Sequence, residues 1–389
     1  MSGSLGQLRA ANRDRVLQVV ASEGPLSRAD LMRRTGLSRS TVSSLVQQLL
    51  EERRLGERTE PGTPYKGRGG RPPTMLELVT GPGVVIGVDL GHQHLRAALA
   101  RADATIAIER SFALDVDESP EETMDRVAGL IEELLAANGT ERQDVRAVAM
   151  GLPGPVHRTG RMTSGILPHW RGTRPAEALA ERTGLIARID NDAHMGARGE
   201  LAQGAARGHR NVIYVKASTG IGAGIIVDGR LVRGSTGDAG ELGHVQVDEN
   251  GPMCRCGSRG CLETEVSAAK LIALLQTTHD QELTVPGMLA LAESGDPGVN
   301  RALGDAGRRI GRVLAGMCTM LNPELIVAGG SIGSAPATLA GIRESLDRHA
   351  QPNSAAAVTI VPGALGERAE VMGAISVALA AAASPSARG

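Results

Sequence analysis

The run VVIGVDLGHQHLRAALARADATIAIERSF, residues 84–112, decides the fold of most of this chain. Its β-rich segments, separated by short turns, predict three consecutive strands. A helical pattern over 121–137 follows, and then a strand in VRAVAMGLPGPV at 145–156. Residues 211–234, NVIYVKASTGIGAGIIVDGRLVRG, begin a second unit of the same kind. Two such units predict a duplicated α/β fold with a cleft between its lobes.

Composition places the chain among soluble globular proteins. It has 389 residues, of which 41% are apolar and 22% charged, and its formal net charge is -1. These values are typical of two or three globular domains. No apolar run approaches the length of about 20 residues that spans a bilayer, and the N-terminal residues lack the hydrophobic stretch of a secretory signal. We therefore expect a cytoplasmic protein with no membrane partner.

Charge is distributed unevenly along the chain. Residues 1–80 hold 13 Lys and Arg against 8 Asp and Glu, whereas the remaining residues hold 29 against 35. A basic N-terminal module thus precedes an acidic body, and basic modules attract phosphate backbones. On charge alone, an ordinary solvated basic face is an equally good interpretation.

The basic module has the pattern of a winged helix-turn-helix domain over residues 1–78. Ser27 is placed to cap the helix RADLMRRT, Gly36 marks a tight turn, and LSRSTVSSLVQQLLEERRL at 37–55 reads as the next helix. The apolar residues of this helix form one inward stripe, Val42, Leu45, Val46, Leu49 and Leu50. Short polar and Arg side chains cluster at its start, as a recognition helix requires. The DNA-binding candidates here are Arg28, Ser38, Arg39, Ser40, Thr41, Ser43 and Ser44.

A wing is expected after this helix. Residues 55–78 carry turn formers and the run KGRGGRP before the strand-like TMLELV. Arg68 and Arg71, presented on flexible glycines, are candidates for entry into a minor groove. The expected partner is therefore double-stranded DNA, and the alternative is a three-helix module that binds a protein.

A metal site is predicted in GHVQVDENGPMCRCGSRGC at 243–261. One imidazole and three thiolates, from His244, Cys254, Cys256 and Cys261, complete a tetrahedral zinc shell and leave no open position, so the zinc would be structural. Inert or redox-active thiols are the alternative. The fourth cysteine, Cys318, lies in an apolar helical pattern and is expected in the core.

Six motifs carry a resemblance to a known family. They are GLPGPV at 151–156, DNDAH at 190–194, STGIGAG at 218–224, GELGH at 240–244, CRCGSRGCLE at 254–263 and LNPELIVAGG at 321–330. Their order and spacing resemble the ROK family, a group of repressors and sugar kinases in the sugar kinase/heat-shock/actin superfamily. The resemblance covers essentially all of residues 81–389.

The resemblance implies an actin-like, ribonuclease H-like domain of two lobes at residues 79–389, preceded by a mainly helical winged helix-turn-helix domain. Sugar recognition maps onto Asn191, Asp192, Glu241, His244 and Glu263. In kinases of the family the residue matching Asp192 is the general base, whereas here it is expected to bind ligand only. His244 would join the two sites, with one ring nitrogen on the metal and the other available to a sugar hydroxyl.

The chain departs from the kinases of this family at two places. Where they carry D-x-G-G-T for the ATP phosphates, this chain has DLGHQH at 89–94, so His92 and Gln93 add bulk and the threonine hydroxyl is absent. Where family members commonly place an Asn that grips the sugar, Ile166 stands here. The second glycine turn, STG at 218–220, remains, and its glycines could serve only to shape a bend. ATP is therefore not expected as a cofactor, and no kinase activity is expected.

The leading hypothesis is a sugar-responsive transcriptional regulator, a repressor of carbohydrate-metabolism genes, acting as a homodimer or homotetramer on a palindromic operator. An ATP-dependent sugar kinase, of the glucokinase or N-acetylhexosamine kinase type, with an accessory DNA-binding domain is the main alternative. A sugar-binding scaffold with a protein partner is a third. The sequence leaves open which sugar is bound and whether the protein represses or activates.

Overall fold

The computed structural model describes residues 9, 12–13, 15–17, 19–20, 23–51, 55–58, 74–78, 83–163 and 165–383. The chain divides into two compact units. One is formed by Val84–Ala378, and the other by the residues up to Gly83 together with those from Leu379. No helix in the described part of the chain is both long and apolar enough to cross a membrane.

The N-terminal unit is a winged helix-turn-helix domain, as predicted. Its elements are β1 (Leu26–Ser27), α1 (Arg28–Thr35), α2 (Arg39–Glu51), β2 (Leu55–Arg58) and β3 (Met75–Leu78). Ser27 forms a capping box with Asp30, and Gly36 ends α1 in the left-handed conformation at φ 67°. The predicted stripe of α2 is buried at Val42, Leu45, Val46 and Leu49, and Leu50 is partly buried.

The three strands of this unit form one antiparallel sheet in the order β1-β3-β2. Two residues of β1 pair with β3, Leu26 with Leu76 and Ser27 with Met75. The sequence analysis did not predict β1, because two residues are too few to show a strand period. The sheet and helices enclose a core that includes Leu31, Leu55 and the helical residues Val16, Leu17 and Val20.

The larger unit begins with a five-stranded sheet. Its strands are β4 (Val84–Gly91), β5 (His94–Arg101), β6 (Ile106–Ala113), β7 (Val145–Leu152) and β8 (Ala187–Asn191), in the order β6-β5-β4-β7-β8. The first three strands pair antiparallel, and β7 and β8 join in parallel. The helices of this lobe are α3 (Pro120–Asn138) and α4 (Pro175–Thr183).

A second five-stranded sheet repeats this order. Its strands are β9 (Val212–Ala217), β10 (Ile221–Val227), β11 (Arg230–Val232), β12 (Leu325–Gly329) and β13 (Thr359–Pro362), in the order β11-β10-β9-β12-β13. In both sheets the first strand is central, the second and third lie on one side, and the fourth and fifth lie on the other in parallel. The duplicated, actin-like fold predicted from the sequence is thereby confirmed.

Helices complete the second lobe and the connection between the lobes. They are α5 (Asp192–Gln203), α6 (Leu262–Val266), α7 (Ala268–Leu275), α8 (Val285–Glu293), α9 (Pro297–Leu321), α10 (Pro336–His349), α11 (Pro352–Ala357) and α12 (Ala369–Ala383). Short 3-10 turns occur at Arg142–Asp144, Pro168–Trp170, Leu242–His244, Gln276–Thr278 and Gly366–Arg368. Each lobe has its own apolar core, and Cys318 is buried in that of the second lobe, as predicted.

Candidate functional site

The four predicted metal ligands come together in the second lobe. The ligand atoms of His244, Cys254, Cys256 and Cys261 all lie within 4.8 Å of one another. The Sγ atoms of Cys256 and Cys261 are 3.7 Å apart, and Nδ1 of His244 is 3.5 Å from Sγ of Cys254. Bond lengths of about 2.3 Å for Zn–S and about 2.0 Å for Zn–N give tetrahedral edges of about 3.8 and about 3.5 Å. The four residues could therefore hold a metal ion.

The environment of the thiols also favours a cation. Burial, with hydrogen bonds from Cys256 and Cys254, raises the pKa of Cys261 to about 12. Neutral thiols packed this closely keep their protons unless a cation stabilises the thiolates. The loop that carries the thiols folds back on itself, since Cys254 N–H donates to Ser258 O over 2.8 Å. The donor set and the loop together suit a structural metal.

Asn191 and Asp192 stand at the start of α5, where strand β8 ends. Asn191 caps the helix: its Oδ1 accepts from His194 N–H over 3.1 Å, and its Nδ2 donates to Gly154 O over 3.1 Å. These bonds fix the amide in one orientation. Asp192 follows directly and is partly exposed, so its carboxylate can still accept further hydrogen bonds.

The other three predicted sugar ligands are linked to one another, and Glu241 is close enough to Asp192 to be affected by its charge. Glu241 Oε2 lies 3.6 Å from His244 Nε2, while His244 Nδ1 points to the thiols. Glu263 Oε2 accepts from Ile221 N–H over 2.9 Å. Burial, and then the charge of Asp192, raises the pKa of Glu241 to about 7, and the charge of Glu263 adds to this. The five predicted residues thus form one cluster that shares His244 with the metal ligands.

A buried lysine that the sequence analysis did not assign to the site contacts Asp192. Lys216 Nζ donates to Asp192 Oδ2 over 2.9 Å and lies 3.6 Å from Glu370 Oε1. Burial opposes its charge, but Asp192, Glu370 and Asp89 raise the pKa of Lys216 above its ordinary range. A lone lysine inside the apolar strand VIYVKA is the feature of the sequence from which a buried ion pair could be inferred.

A second buried ion group ties α5 to the loop that carries Glu241. His194 Nδ1 donates to Asp190 Oδ1 over 2.9 Å and its Nε2 donates to Ala239 O over 2.8 Å. Only an imidazolium can donate from both nitrogens. Burial opposes this charge, but the bond to Asp190 raises the pKa of His194. Burial likewise opposes the ionised Asp190, yet His194 and Arg233 lower the pKa of Asp190 to about 2.

The two glycine-containing turns, called here the first turn (89–94) and the second turn (216–222), occupy the same place in the two lobes. In the first turn, His92 Nδ1 lies 2.5 Å from Asp117 Oδ1. Arg255 lies in the loop that carries the metal ligands, residues 244–261, called here the metal loop. It donates to Asp117 Oδ2 over 3.2 Å and to Ile166 O over 3.4 Å. The first turn is therefore joined to the metal loop through side chains that the sequence analysis did not connect.

The second turn has a different environment. A Cβ added at Gly222 would lie 2.9 Å from the Cβ of Ala193, the second residue of α5. Gly222 does not have positive φ. The need for glycine at this position therefore comes from close packing of α5 rather than from the bend itself.

The start of α2 presents the predicted DNA-reading residues. Ser38 caps the helix, because its Oγ accepts from Thr41 N–H over 3.2 Å. Arg39, Ser40, Ser43 and Ser44 are exposed. Arg28 donates to Glu57 Oε1 over 2.8 Å and is thus committed to an ion pair with β2. The wing residues Arg68 and Arg71 lie outside the described residues.

A two-lobed, sugar-kinase-like body with a His–Cys cluster, in a chain that also carries a winged helix-turn-helix domain, defines a class of transcriptional regulators. The chain belongs to the ROK family: residues 85–381 match this family, and residues 15–61 match the MarR family.

Relatives of both functional kinds are known. The chain is 31% identical over 373 residues to the xylose repressor of Bacillus spizizenii, with 96% of each chain covered. A crystal structure of a ROK family transcriptional regulator, a homologue of the Escherichia coli Mlc protein, is similar with a TM-score of 0.79 and 26% identity, covering 96% of this chain and 97% of its own. A ROK glucokinase from Streptomyces griseus in complex with glucose and AMPPNP has a TM-score of 0.64 and 27% identity.

Coverage separates these relatives. The glucokinase structure covers 76% of this chain but 99% of its own length, whereas the repressor and the regulator structure cover 96% of this chain. The glucokinase structure therefore matches the two-lobed body alone. The whole chain has the architecture of a ROK transcriptional regulator.

Proposed function

We propose that this protein is a sugar-responsive repressor of carbohydrate-metabolism genes that acts in the cytoplasm. One observation carries the proposal: a recognition helix with an exposed polar start is joined, in one chain, to a body in which five sugar-binding candidates converge on the start of α5. We place the DNA-binding domain at residues 1–78 and the effector domain at 79–389. A homodimer or homotetramer would present two recognition helices to a palindromic operator.

The effector is a monosaccharide bound by Asn191, Asp192, Glu241, His244 and Glu263. A sugar is a ring of hydroxyls, and fixed carboxylate and amide groups can each take up two of them. Ile166 is buried against Gly154, whose carbonyl holds Asn191. An apolar wall at this position favours a sugar with one polar group fewer than a hexose. We therefore take D-xylose as the first candidate effector, in agreement with the relative named xylose repressor.

The metal is zinc in a structural role. Three thiolates and one imidazole are the donor set that Zn²⁺ prefers, and the ion would need no further ligand. His244, Cys254, Cys256 and Cys261 would hold it. Glu263 follows Cys261 by two residues, so the ion would fix the loop that places Glu263 and His244 beside the sugar.

Control of DNA binding follows from differential affinity. The sugar can release operator DNA only if it binds the DNA-incompetent conformation more tightly than the competent one. The lobes approach each other where the metal loop meets the first turn, through Arg255, Asp117 and His92. A sugar that contacts the metal loop from the cleft would act on this junction.

A sugar kinase is the second candidate function. Asp192 and the intact second turn favour it, and the glucokinase relatives share this body. Against it stands the first turn, in which His92 and Gln93 replace the second Gly and the Thr of the kinase motif D-x-G-G-T. The imidazole of His92 contacts Asp117 and Arg255 instead. A coupled assay with ATP, magnesium and a panel of pentoses and hexoses decides. Turnover that disappears in Asp192→Asn would establish the kinase.

DNA binding tests the main proposal. Genomic fragments selected by the purified protein define the operator. Xylose and glucose are then each titrated into the complex, and only the sugar that is the effector should weaken operator binding. Arg39→Ala should lower operator affinity by about 1–3 kcal/mol and random-DNA affinity much less.

Arg33→Ala is the matched control for this variant. Arg33 is largely exposed on α1 and pairs with Asp30, so its removal changes the net charge of the unit without touching the start of α2. Equal losses on operator and random DNA in Arg39→Ala would show contact with phosphate only. Operator affinity that no sugar changes would contradict a ligand-gated repressor.

A further inference from the structure

A surface groove lies between α9 and α10, where Val247 of the metal loop also lines it. Its volume is about 320 Å³, within the range of about 300–1,000 Å³ that is typical of small-molecule sites. Most of its lining is basic, and a single carboxylate lies among the residues Arg308, Arg309, Arg312, Arg348, His349 and Glu344. None of the lining residues is a predicted sugar or metal ligand. The groove is therefore a separate candidate site in the second lobe.

Close packing of the two helices brings these arginines together. A Cβ added at Gly311 of α9 would lie 2.7 Å from the carbonyl oxygen of Ile342 in α10, so a larger residue there would push the helices apart. Arg308 and Arg312 are four residues apart in α9 and share one helix face. Arg348 lies in the last turn of α10. Arginines from two helices thus converge on one groove.

Two of the arginines are neutralised within the protein. Arg308 donates to Glu344 Oε2 over 3.1 Å and also pairs with Asp305. Arg309 pairs with Glu265 of α6 over 3.0 Å. These two guanidinium groups already have carboxylate partners and need no ligand.

The other two arginines have no such partner. Arg312 and Arg348 are exposed, and neither forms an ion pair with a carboxylate among the residues that the structure describes. Arg312 contacts the ring of His349 instead: its Nη1 lies 2.8 Å from Nδ1 and 3.0 Å from Nε2. Partial desolvation, and then the charges of Arg312 and Arg348, lower the pKa of His349. Two uncompensated guanidinium groups and a neutral imidazole therefore line the groove.

We propose that this groove binds a small phosphate monoester, whose phosphate group contacts Arg312 and Arg348. A guanidinium matches the geometry of a phosphate and binds it through two parallel hydrogen bonds. Two guanidinium groups supply the positive charge that balances a phosphate dianion. The neutral imidazole of His349 can donate a further hydrogen bond.

The rest of the groove favours an ester over the free ion. Its volume exceeds what a phosphate group alone requires. Glu344 has acceptor capacity beyond its bond to Arg308, so it can take up hydroxyl groups of the attached moiety. Val247 is 38% exposed and gives the groove an apolar wall. A sugar phosphate has both the anionic group and the hydroxyls that this lining suits.

Isothermal titration calorimetry of the zinc-loaded full-length protein, in a buffer free of phosphate, tests the inference. Ribose 5-phosphate is the monoester, and inorganic phosphate and ribose are the reference ligands. The wild type should bind one ribose 5-phosphate per chain and bind inorganic phosphate more weakly, and ribose should displace neither. The inference goes beyond the proposed repressor function and does not rest on it, because these titrations need neither DNA nor the effector.

Variants locate the binding. The double variant Arg312→Gln, Arg348→Gln removes the charged hydrogen bonds, so its affinity for both phosphates should fall by about tenfold or more. The control is the double variant Arg110→Gln, Arg146→Gln, which removes two exposed arginines from β6 and β7 of the first lobe. It has the same change of net charge and should bind as the wild type does.

His349 gives a readout in the wild type itself. A bound dianion stabilises the imidazolium, so ribose 5-phosphate should raise the pKa of His349. The NMR signal of its Cε1–H, followed across pH and assigned with His349→Gln, measures this pKa. If ribose 5-phosphate binds and leaves the pKa of His349 unchanged, the ligand lies elsewhere and the inference is overturned.

The titrations can also contradict the inference. A wild type that binds no ribose 5-phosphate would overturn it, as would a double variant with undiminished affinity or tighter binding of inorganic phosphate than of the ester. Sedimentation velocity tests whether a second copy of the chain occupies the groove instead. A change of oligomeric state in the Arg312 and Arg348 double variant, with phosphate affinity retained, would overturn the ligand site. Operator binding by the same variants is measured separately and reports on the proposed function.

Discussion

The first and second turns occupy equivalent positions in two sheets of the same strand order, yet different forces hold them. The side chains that join the first turn to the metal loop are His92, Asp117 and Arg255, of which Asp117 and Arg255 are 33% and 45% exposed. The second turn is held by a hydrogen bond from Ile221 to the partly buried Glu263 and by packing against α5. Exposed ion pairs contribute little, whereas buried contacts contribute much. The strands therefore preserve the fold, and the turns are free to differ in chemistry.

Loss of the metal should have the largest effect, because the metal loop carries Glu263 to the second turn. Cys256→Ser is expected to reduce bound zinc from one ion per chain to almost none, and to abolish sugar binding. Structural zinc contributes about 10 kcal/mol or more to small zinc-dependent folds. Elemental analysis and calorimetry measure the two effects. The control variant is Cys318→Ala, which changes a cysteine of α9 that is buried in the core of the second lobe and should leave the zinc content unchanged. An unchanged metal content in Cys256→Ser would contradict the proposed ligand set.

Removing one carboxylate at each turn compares the turns directly. Glu263→Ala leaves the N–H of Ile221 unpaired and removes a sugar ligand, so it should cost about 1–3 kcal/mol of stability and most of the sugar affinity. Asp117→Ala breaks half-exposed ion pairs and should cost at most about 1 kcal/mol, with sugar affinity unchanged. Denaturant unfolding and sugar titration measure both variants. Equal losses would show that the two turns depend on the same forces.

The buried ion pair of Asp190 and His194 should make the stability of the protein depend on pH at both the acid and the alkaline end. The pKa of Asp190 falls from 3.8 to about 2 on folding. This shift contributes about 2 kcal/mol to the free energy of unfolding above pH 4, and the contribution is lost as the pH falls towards 2. The pKa of His194 is raised, so its contribution is present below about pH 6.5 and lost as the pH rises through the folded value. Unfolding free energies measured across pH should show both branches. His194→Gln should remove the alkaline branch, and an unaltered branch would assign it to another group.

The smallest effect is expected at the link between the metal loop and the first turn. Arg255→Ala removes a half-exposed guanidinium, so unfolding should become easier by about 0–1 kcal/mol. Salt should shrink the difference from the wild type, since exposed charges are screened. Zinc content should stay the same, because Arg255 is not a ligand. A larger loss, insensitive to salt, would show that Arg255 acts through packing.

Features encoded by local sequence were predictable. Ser27 caps its helix as predicted, and Asp30 adds the reciprocal bond of a capping box. The strands around the glycine turns follow the apolar periods of the sequence. The ligands His244, Cys254, Cys256 and Cys261 lie within 18 residues of sequence and meet as their spacing indicated. The prediction that Asn191, Asp192, Glu241 and Glu263 lie together came from the family resemblance. Their spacing alone could not predict it, because residues far apart in sequence share no periodic pattern.

Contacts between distant segments were not predictable. Arg255 meets His92 across 163 residues, and Lys216 meets Glu370 through the packing of β9 against α12. Nothing in the local sequence of either partner specifies the other, because tertiary packing alone brings them together. A buried Lys and a buried Asp each signal that a partner exists, but a single sequence does not say which residue it is.

The identical strand order of the two sheets bears on engineering. On the proposed function, the loops at the strand ends carry recognition while the strands carry the fold. We therefore expect loops from other ROK proteins to be tolerated at matched strand ends without rebuilding either core. A biosensor could be retuned to another carbohydrate by exchanging the segments around Ile166 and Glu241, while the operator-reading arm stays as it is. Internal duplication thus makes the chain a modular scaffold.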